Sequence, residues 1–348
     1  EFSGLDLNLL IPKEAWSDEE VDQAVFIAAM RTYLEEFNNS SNLIPRLTKQ
    51  ILSRPMPGNS TGYLQQFSLA NTAINITDEL SGDIWKIPDA VLDIKREGNG
   101  LNLLLEGEID IENEADIPIH LSTRYDIENE AASTEIRFLN FTPTHMAGKV
   151  DGLSSLSTLD IPVGGLINFS LDKEFELPIF DFEFDVGAGR INPGEVYDTP
   201  IKIDEAGISG QYFASEDTVS IEYFHLEFDG AKLDAQGMIN DLRNNLDIAV
   251  TAEIANLPMV NLKTYWPSRI VAGARARSWI ANNVTGGMIT DGQIKIDIRP
   301  EMLELEILPD DGIVFTFNIE NGSSHYLKPM PQVTELIGKA TLNANHFK

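Results

Sequence analysis

Cysteine is absent from the 348-residue chain. That excludes disulfides, thiolate metal sites and cysteine nucleophiles. Also missing is any run of about 18 apolar residues, so the sequence contains no α-helical membrane span. Positive charge is scarce: 25 Lys and Arg stand against 55 Asp and Glu, a formal net charge of −30. Such a surface repels nucleic acid and anionic headgroups over most of its area, and it discourages self-association. Catalytic signatures are missing as well. The five histidines are His120, His145, His225, His325 and His346, all at least twenty residues apart and none in a metal-binding spacing such as HExxH. There is no GxSxG elbow and no P-loop. Gly187-Ala188-Gly189-Arg190 begins like a dinucleotide fingerprint but lacks the third glycine and runs into Pro193-Gly194 instead of a helix. The Asp/Asn-rich stretch 241–247 lacks EF-hand spacing.

What is present is period-two alternation. At 43% hydrophobic residues the chain has enough apolar surface for a large core. Its length allows two or three compact domains. Leu101, Leu103 and Leu105 share one parity, with Asn102, Glu106 and Glu108 on the other; Ile117, Ile119 and Leu121 share one, with His120 and Ser122 on the other; and Phe180, Phe182 and Phe184 alternate with Asp181 and Glu183. Ile248 and Val250, Ile294 and Ile296, and Phe315 and Phe317 continue the pattern, and Leu303, Leu305 and Ile307 read as a further strand. Turn signals at Glu97–Gly100, Ile191–Gly194, Asp229-Gly230 and Asp310–Gly312 separate the sets. Strict alternation gives each strand one buried and one wet face, and hairpin-length links make the sheet mostly antiparallel. Strands of 9–11 residues span about 30–36 Å, longer than usual. The carboxylates at every second position are read as the wet face, and the strand histidines as solvated or paired polar residues.

Helical signals are few. Ser17-Asp18-Glu19-Glu20 forms a capping box, predicting a helix from about Asp18 to Phe37 and a shorter one from Leu43 to Ser53. Pro258–Tyr265 and Val271–Val284 suit two more, divided by Pro267. This helical content is too small to cover the apolar face of some fifteen strands. The expected fold is therefore mainly β: a long, twisted, mostly antiparallel sheet curled into a groove or trough with one apolar face, plus a few amphipathic helices. The expected division is residues 1–60, a lead strand and helical pair; 61–255, a β-groove segment; 256–286, a helical insertion; and 287–348, a continuation of the groove. The chain begins without Met and ends in a strand-like run at 341–348, so it is expected to be a segment of a longer protein.

One electrostatic feature departs from the rest. Between residues 254 and 290 there is no Asp or Glu, yet Lys263, Arg269, Arg275 and Arg277 occur. Arg269, Arg275 and Arg277, with Trp279 one turn beyond Arg275, could meet a phosphate headgroup or an acidic partner. They could equally pair with carboxylates of a neighbouring sheet.

The same stretch carries a resemblance. Tyr265-Trp266-Pro267, then Ala274–Ile280, Asn283 and Gly286-Gly287 before the strand at 287–298, resembles the AsmA-like superfamily, most nearly its YhdP-type branch of bridge-like lipid-transfer proteins. Residues 67–85, the hairpin 226–237 and the stretch 315–347 are similar to other parts of that pattern, so the resemblance covers about residues 60–348. It implies a periplasmic protein held to the inner membrane by a segment outside this chain. That protein would carry phospholipid along an apolar β-groove between the inner and outer membranes. The resemblance brings no catalytic residue and no cofactor. The expected groove floor is Leu101, Leu103, Leu105, Ile117, Ile119, Leu121, Phe180, Phe182, Phe184, Ile248, Val250, Ile294, Ile296, Phe315 and Phe317. Expected partners are phospholipid, the remainder of the same chain and other envelope proteins, and not nucleic acid. The competing readings are a structural or tethering β-scaffold with a closed core, a surface adhesin or carbohydrate-binding β-solenoid, and an enzyme. The irregular turn spacing counts against a solenoid.

Overall fold

The computed structural model describes residues 2–3, 6–11, 63–78, 84–98, 100–111, 116–129, 131–146, 157–171, 179–192, 194, 197, 199–242, 245–266, 274–303, 305, 307–326 and 330–346. The helices expected over 17–53, together with Pro267 and Arg269, lie outside these residues. The chain is mainly β with few helices, and it divides into two compact units. The first spans 1–157 and 163–180, and the second spans 158–162 and 181–348. The motif segment 256–286 falls in the same unit as the strands on both sides of it.

In the first unit, β1 (Phe2–Ser3) and β2 (Asp6–Ile11) pair parallel to β3 (Gln66–Asp78). All its other pairs are antiparallel: β3 leads to β4 (Ile84–Glu97), β5 (Gly100–Ile109), β6 (Ile117–Asp126), β7 (Ala131–Phe141) and β9 (Val163–Leu171). A short helix, α1 (Pro143–Met146), follows β7. The register puts the expected floor residues on one face. Leu105 lies opposite both Leu92 and Leu121, Leu103 opposite Ile94, and Ile119 opposite Phe138. Phe67, Leu69, Leu92, Ile94 and Leu101 are buried together there, with Leu103 and Leu105 packed against them. The other face is polar: Glu106 Oε1 is 3.0 Å from His120 Nδ1, and Gln66 donates to Asp93.

In the second unit, β8 (Leu159–Asp160), β11 (Gly189–Ile191) and β12 (Ile201–Ile203) form a small antiparallel sheet with β11 in the middle. The large sheet follows β10 (Ile179–Val186). It runs through β13 (Glu205–Phe213), β14 (Thr218–Phe228), β15 (Ala231–Asn240), β16 (Asp247–Ala255), β18 (Val284–Ile298), β19 (Ile313–Ser324) and β20 (Val333–Asn343), antiparallel throughout. The Asp229-Gly230 turn has positive φ at both residues, as the tight hairpin between β14 and β15 requires. The two-residue strand β17 (Leu257–Pro258) pairs with β18. A 3₁₀ turn, Met259–Asn261, leads into α2 (Leu262–Tyr265), and α3 (Ala274–Asn283) follows. The helix expected from Pro258 therefore starts later, because Pro258 is still in the ladder with Met288. At the other end, Asn282 and Asn283 donate to the carbonyls of Ser278 and Trp279. These amides satisfy last-turn carbonyls, and the chain re-enters the sheet at Val284.

Among the described residues of the strand expected at Leu303–Ile307, none lies in a strand. Pro300–Leu303 is a helical turn, α4, and Leu303, Leu305 and Ile307 are exposed. Alternation alone makes no strand without a neighbouring ladder, and Pro300 and Pro309 bracket this segment.

Bulges re-aim the alternation in several strands. Register shifts fall at 69–72 in β3, 138–141 in β7 and 319–322 in β19, and Asn71, Asn140 and Asn321 occupy positive φ there. Asparagine tolerates that conformation better than most side chains, and each bulge switches which parity of residue faces the core.

Candidate functional site

The apolar face of the second unit's large sheet is continuous across six strands. Leu226 and Leu233 face each other, then Leu233 and Ile254, Ala252 and Ile294, Ile294 and Phe315, and Phe315 and Leu342. At one end helices close it. Leu257, Met259, Leu262 and Ile280 are buried against Ile289 and Phe317, with Trp279 and Trp266 packed behind. Nearer the middle it is not closed. A cavity of ≈ 520 Å³ lies over Leu233, Ile254, Ile294 and Phe315. Tyr265 and Trp266 stand at its helical end, and Ile191, Tyr197, Ile201 and Ile203 bound it from the small sheet.

The polar atoms around this cavity are largely engaged. Tyr197 donates to the Tyr265 carbonyl at 2.8 Å, and burial pushes its phenol pKa up. Tyr265 donates to Asp229 Oδ2 at 2.5 Å, and Asn261 donates to the same oxygen. Burial first, and that carboxylate second, raise the Tyr265 pKa, so both phenols stay neutral at any physiological pH. The Tyr265 ring also meets Phe228 edge-on at 4.4 Å. The Tyr-Trp pair is thus a fixed end wall rather than a reactive group. Among the described residues no cluster of His, Asp or Glu suits a metal.

The structure sorts the expected floor residues. Ile294 and Phe315 line the cavity. Ile248, Val250 and Ile296 share that face but lie outside it, half-buried. Phe317 is fully enclosed and belongs to the closed core. Leu101, Leu103, Leu105, Ile117, Ile119 and Leu121 share the apolar face of the first unit, with Leu101 and Ile117 buried. On β10, Phe182 is buried and stacks with Phe184 at 5.6 Å, and Phe180 has the same parity. The alternation did not reveal the small-sheet wall at 191–203, whose strands are only three residues long.

The acid-free stretch behaves differently from a headgroup clamp at the one arginine whose bonds are described. Arg277 donates from Nε to the Trp266 carbonyl at 3.1 Å and from Nη2 to the Lys263 carbonyl at 3.0 Å. These are carbonyls at the end of α2, where a cation is favoured. The Arg277 guanidinium therefore braces the Tyr-Trp wall, and the side chain of Arg275 lies outside the described residues. Trp279 meets Tyr326 edge-on at 6.3 Å, so it packs at this end too. Arg277→Ala is expected to cost about 1.5–3 kcal/mol, the usual range for hydrogen bonds from a charged donor. Chemical denaturation checks this, and unchanged stability would remove the bracing role.

On the wet face of the same sheet, His225 Nδ1 lies 2.7 Å from Asp234 Oδ1, and Nε2 lies 3.3 Å from Glu227 Oε1. Lys232 also binds Glu227, and Tyr223 stacks on the imidazole at 6.2 Å. The hydrogen bond to Asp234 chiefly, with Glu227 helping, holds the His225 pKa above its ordinary value against a smaller opposing effect of burial. The stabilisation is fully present below the unfolded value of about 6.5 and fades as pH rises through the raised folded value. An NMR titration should show an elevated His225 midpoint that falls in Asp234→Asn. A midpoint unmoved by that substitution would contradict the assignment.

No family model, curated protein or solved structure matches this chain.

Proposed function

We propose that this chain binds the acyl part of a lipid against the apolar face of its sheet, as a segment of a bacterial envelope protein that moves phospholipid between inner and outer membranes. The observation that carries the reading is the cavity over Ile294 and Phe315, with an almost wholly aliphatic and aromatic lining. Protein cores are packed to crystal-like density, so an apolar space of ≈ 520 Å³ is out of place in a closed scaffold. It falls within the roughly 300–1,000 Å³ typical of ligand sites. Burying alkyl chain there yields about 0.8 kcal/mol per methylene. The resemblance around Tyr265-Trp266-Pro267 supports the same reading and supplies its periplasmic, membrane-anchored setting and its further envelope partners. The chemistry asked of the chain is binding and not catalysis, and the reading needs no cofactor. Organic extraction of the purified chain followed by lipid mass spectrometry tests it: phospholipid should be recovered at near-stoichiometric amounts. Recovery of no lipid would favour a tethering scaffold whose sheet is covered by its own packing.

A further inference from the structure

The polar face of the second unit carries its own concavity, independent of the apolar cavity. It crosses β14, β15, β16, β18 and β19 and is lined by Glu222, Tyr223, Gln236, Glu253, Gln293 and Thr316, among others. Its volume of ≈ 530 Å³ matches that of the apolar cavity.

The backbone builds it. In β14 the ladder to β13 jumps from Tyr223–Ser209 to Ile221–Gly210, leaving Glu222 as an extra residue. The ladder to β15 breaks at the same place, between Ile221 and Phe224. The bulge turns two consecutive side chains, Glu222 and Tyr223, to the wet side, and both are exposed. Opposite it, Gly237 has φ +159, and a Cβ there would lie 2.3 Å from the Ala249 carbonyl oxygen. The strand passes too close for any other residue.

The side chains that gather here are unused. Among the described residues, Glu222, Gln236, Glu253 and Gln293 have no hydrogen-bond or ion-pair partner for their side chains. The groups beside them are engaged elsewhere: Asp234 with His225, and Lys295 with Asp297. Gln236 faces Thr251, Glu253 faces Gln293, and Gln293 faces Thr316 across adjacent strands. The result is a row of amides, carboxylates and hydroxyls crossing the strands, with an exposed tyrosine ring at one end.

We infer that this row binds an extended neutral glycan. Amides and carboxylates in alternation supply both donors and acceptors for sugar hydroxyls. The Tyr223 ring offers an apolar face with a polar tip, suited to the C–H face of a pyranose. Five adjacent strands span about 19 Å at the usual spacing of roughly 4.8 Å. The rise per sugar of an extended β-1,4-linked hexopyranose chain is close to that spacing, so successive sugars meet successive strands. An acidic rim does not repel a neutral chain, whereas it opposes an anionic one.

The test is titration of the intact chain with cellohexaose, followed by calorimetry or saturation-transfer NMR. Wild type should bind saturably, with maltohexaose, whose chain coils, at least tenfold weaker. Tyr223→Ala and the double variant Gln236→Ala/Gln293→Ala should each weaken cellohexaose binding at least tenfold. All three side chains are exposed, so circular dichroism and bound lipid should not change. No saturable binding of cellohexaose, equal affinity for maltohexaose, or unaltered affinity in both variants overturns the proposal. So does binding of hexalysine in place of the sugar, which would make the site a cation site.

Discussion

Ile294→Asp is expected to strip bound lipid from the purified chain, lowering recovery by more than tenfold while the chain stays folded. Ile294 is half-buried between Ala252 and Phe315 on the cavity floor. A carboxylate there remains hydrated while the cavity is empty, so the unliganded protein pays little. A bound alkyl chain must desolvate it, at a cost of several kcal/mol, and about 1.4 kcal/mol already changes occupancy tenfold. Ile248→Asp is the control. It lies on the same strand face as Ala252 but outside the cavity lining, and it should lower recovery much less. Lipid mass spectrometry of both variants checks this. Equal losses would mean that the whole sheet face binds lipid and that the cavity has no special role.

Phe317→Ala should cause the largest loss of stability, about 3–5 kcal/mol. Phe317 is fully enclosed, 4.6 Å from the Phe315 ring, and it faces Gly292 and Ala340 on the neighbouring strands. Neither neighbour can fill the space, because Ala340 is already small and Gly292 has no side chain. A Cβ on Gly292 would itself strike Ile254 and Phe315. For a unit of this size the change corresponds to a fall in Tm of roughly 6–20 °C. By contrast, Ile337→Ala should be almost silent, since Ile337 is 83% exposed on β20. Scanning calorimetry decides, and a Tm within 2 °C of wild type for Phe317→Ala would show that the closed core lies elsewhere.

The sheet was legible in the sequence wherever one parity of a strand stayed apolar. Leu101–Leu105 against Ile117–Leu121, and Ile248–Val250 against Ile294–Ile296, fall on common faces because period two leaves them no alternative. The parallel pairing of β2 with β3 was not legible, because partner choice depends on chain path and not on pattern. Leu303–Ile307 misled for the complementary reason: the pattern was right, and none of its described residues joins a ladder. The β14 bulge did leave a trace. Val219 and Ile221 are odd-numbered, whereas Phe224, Leu226 and Phe228 are even-numbered, so the apolar parity switches across Glu222-Tyr223. The cavity wall was invisible because Ile191, Ile201 and Ile203 sit in three-residue strands, too short for a period to register. Arg277 was singled out by its charge, but its carbonyl partners depend on how α2 and α3 meet, which composition does not encode.

The central claim is that an alkyl chain occupies the cavity over Ile294 and Phe315. Incubation with a phospholipid carrying a diazirine near the end of one acyl chain, irradiation and peptide mass spectrometry test it most directly. The account predicts adducts concentrated on residues of the cavity lining, such as Leu233, Ile294, Phe315 and Ile203, and competed away by unlabelled phospholipid. Adducts scattered over exposed apolar side chains such as Ile307, Met330 and Ile337, or no competable labelling, would contradict it.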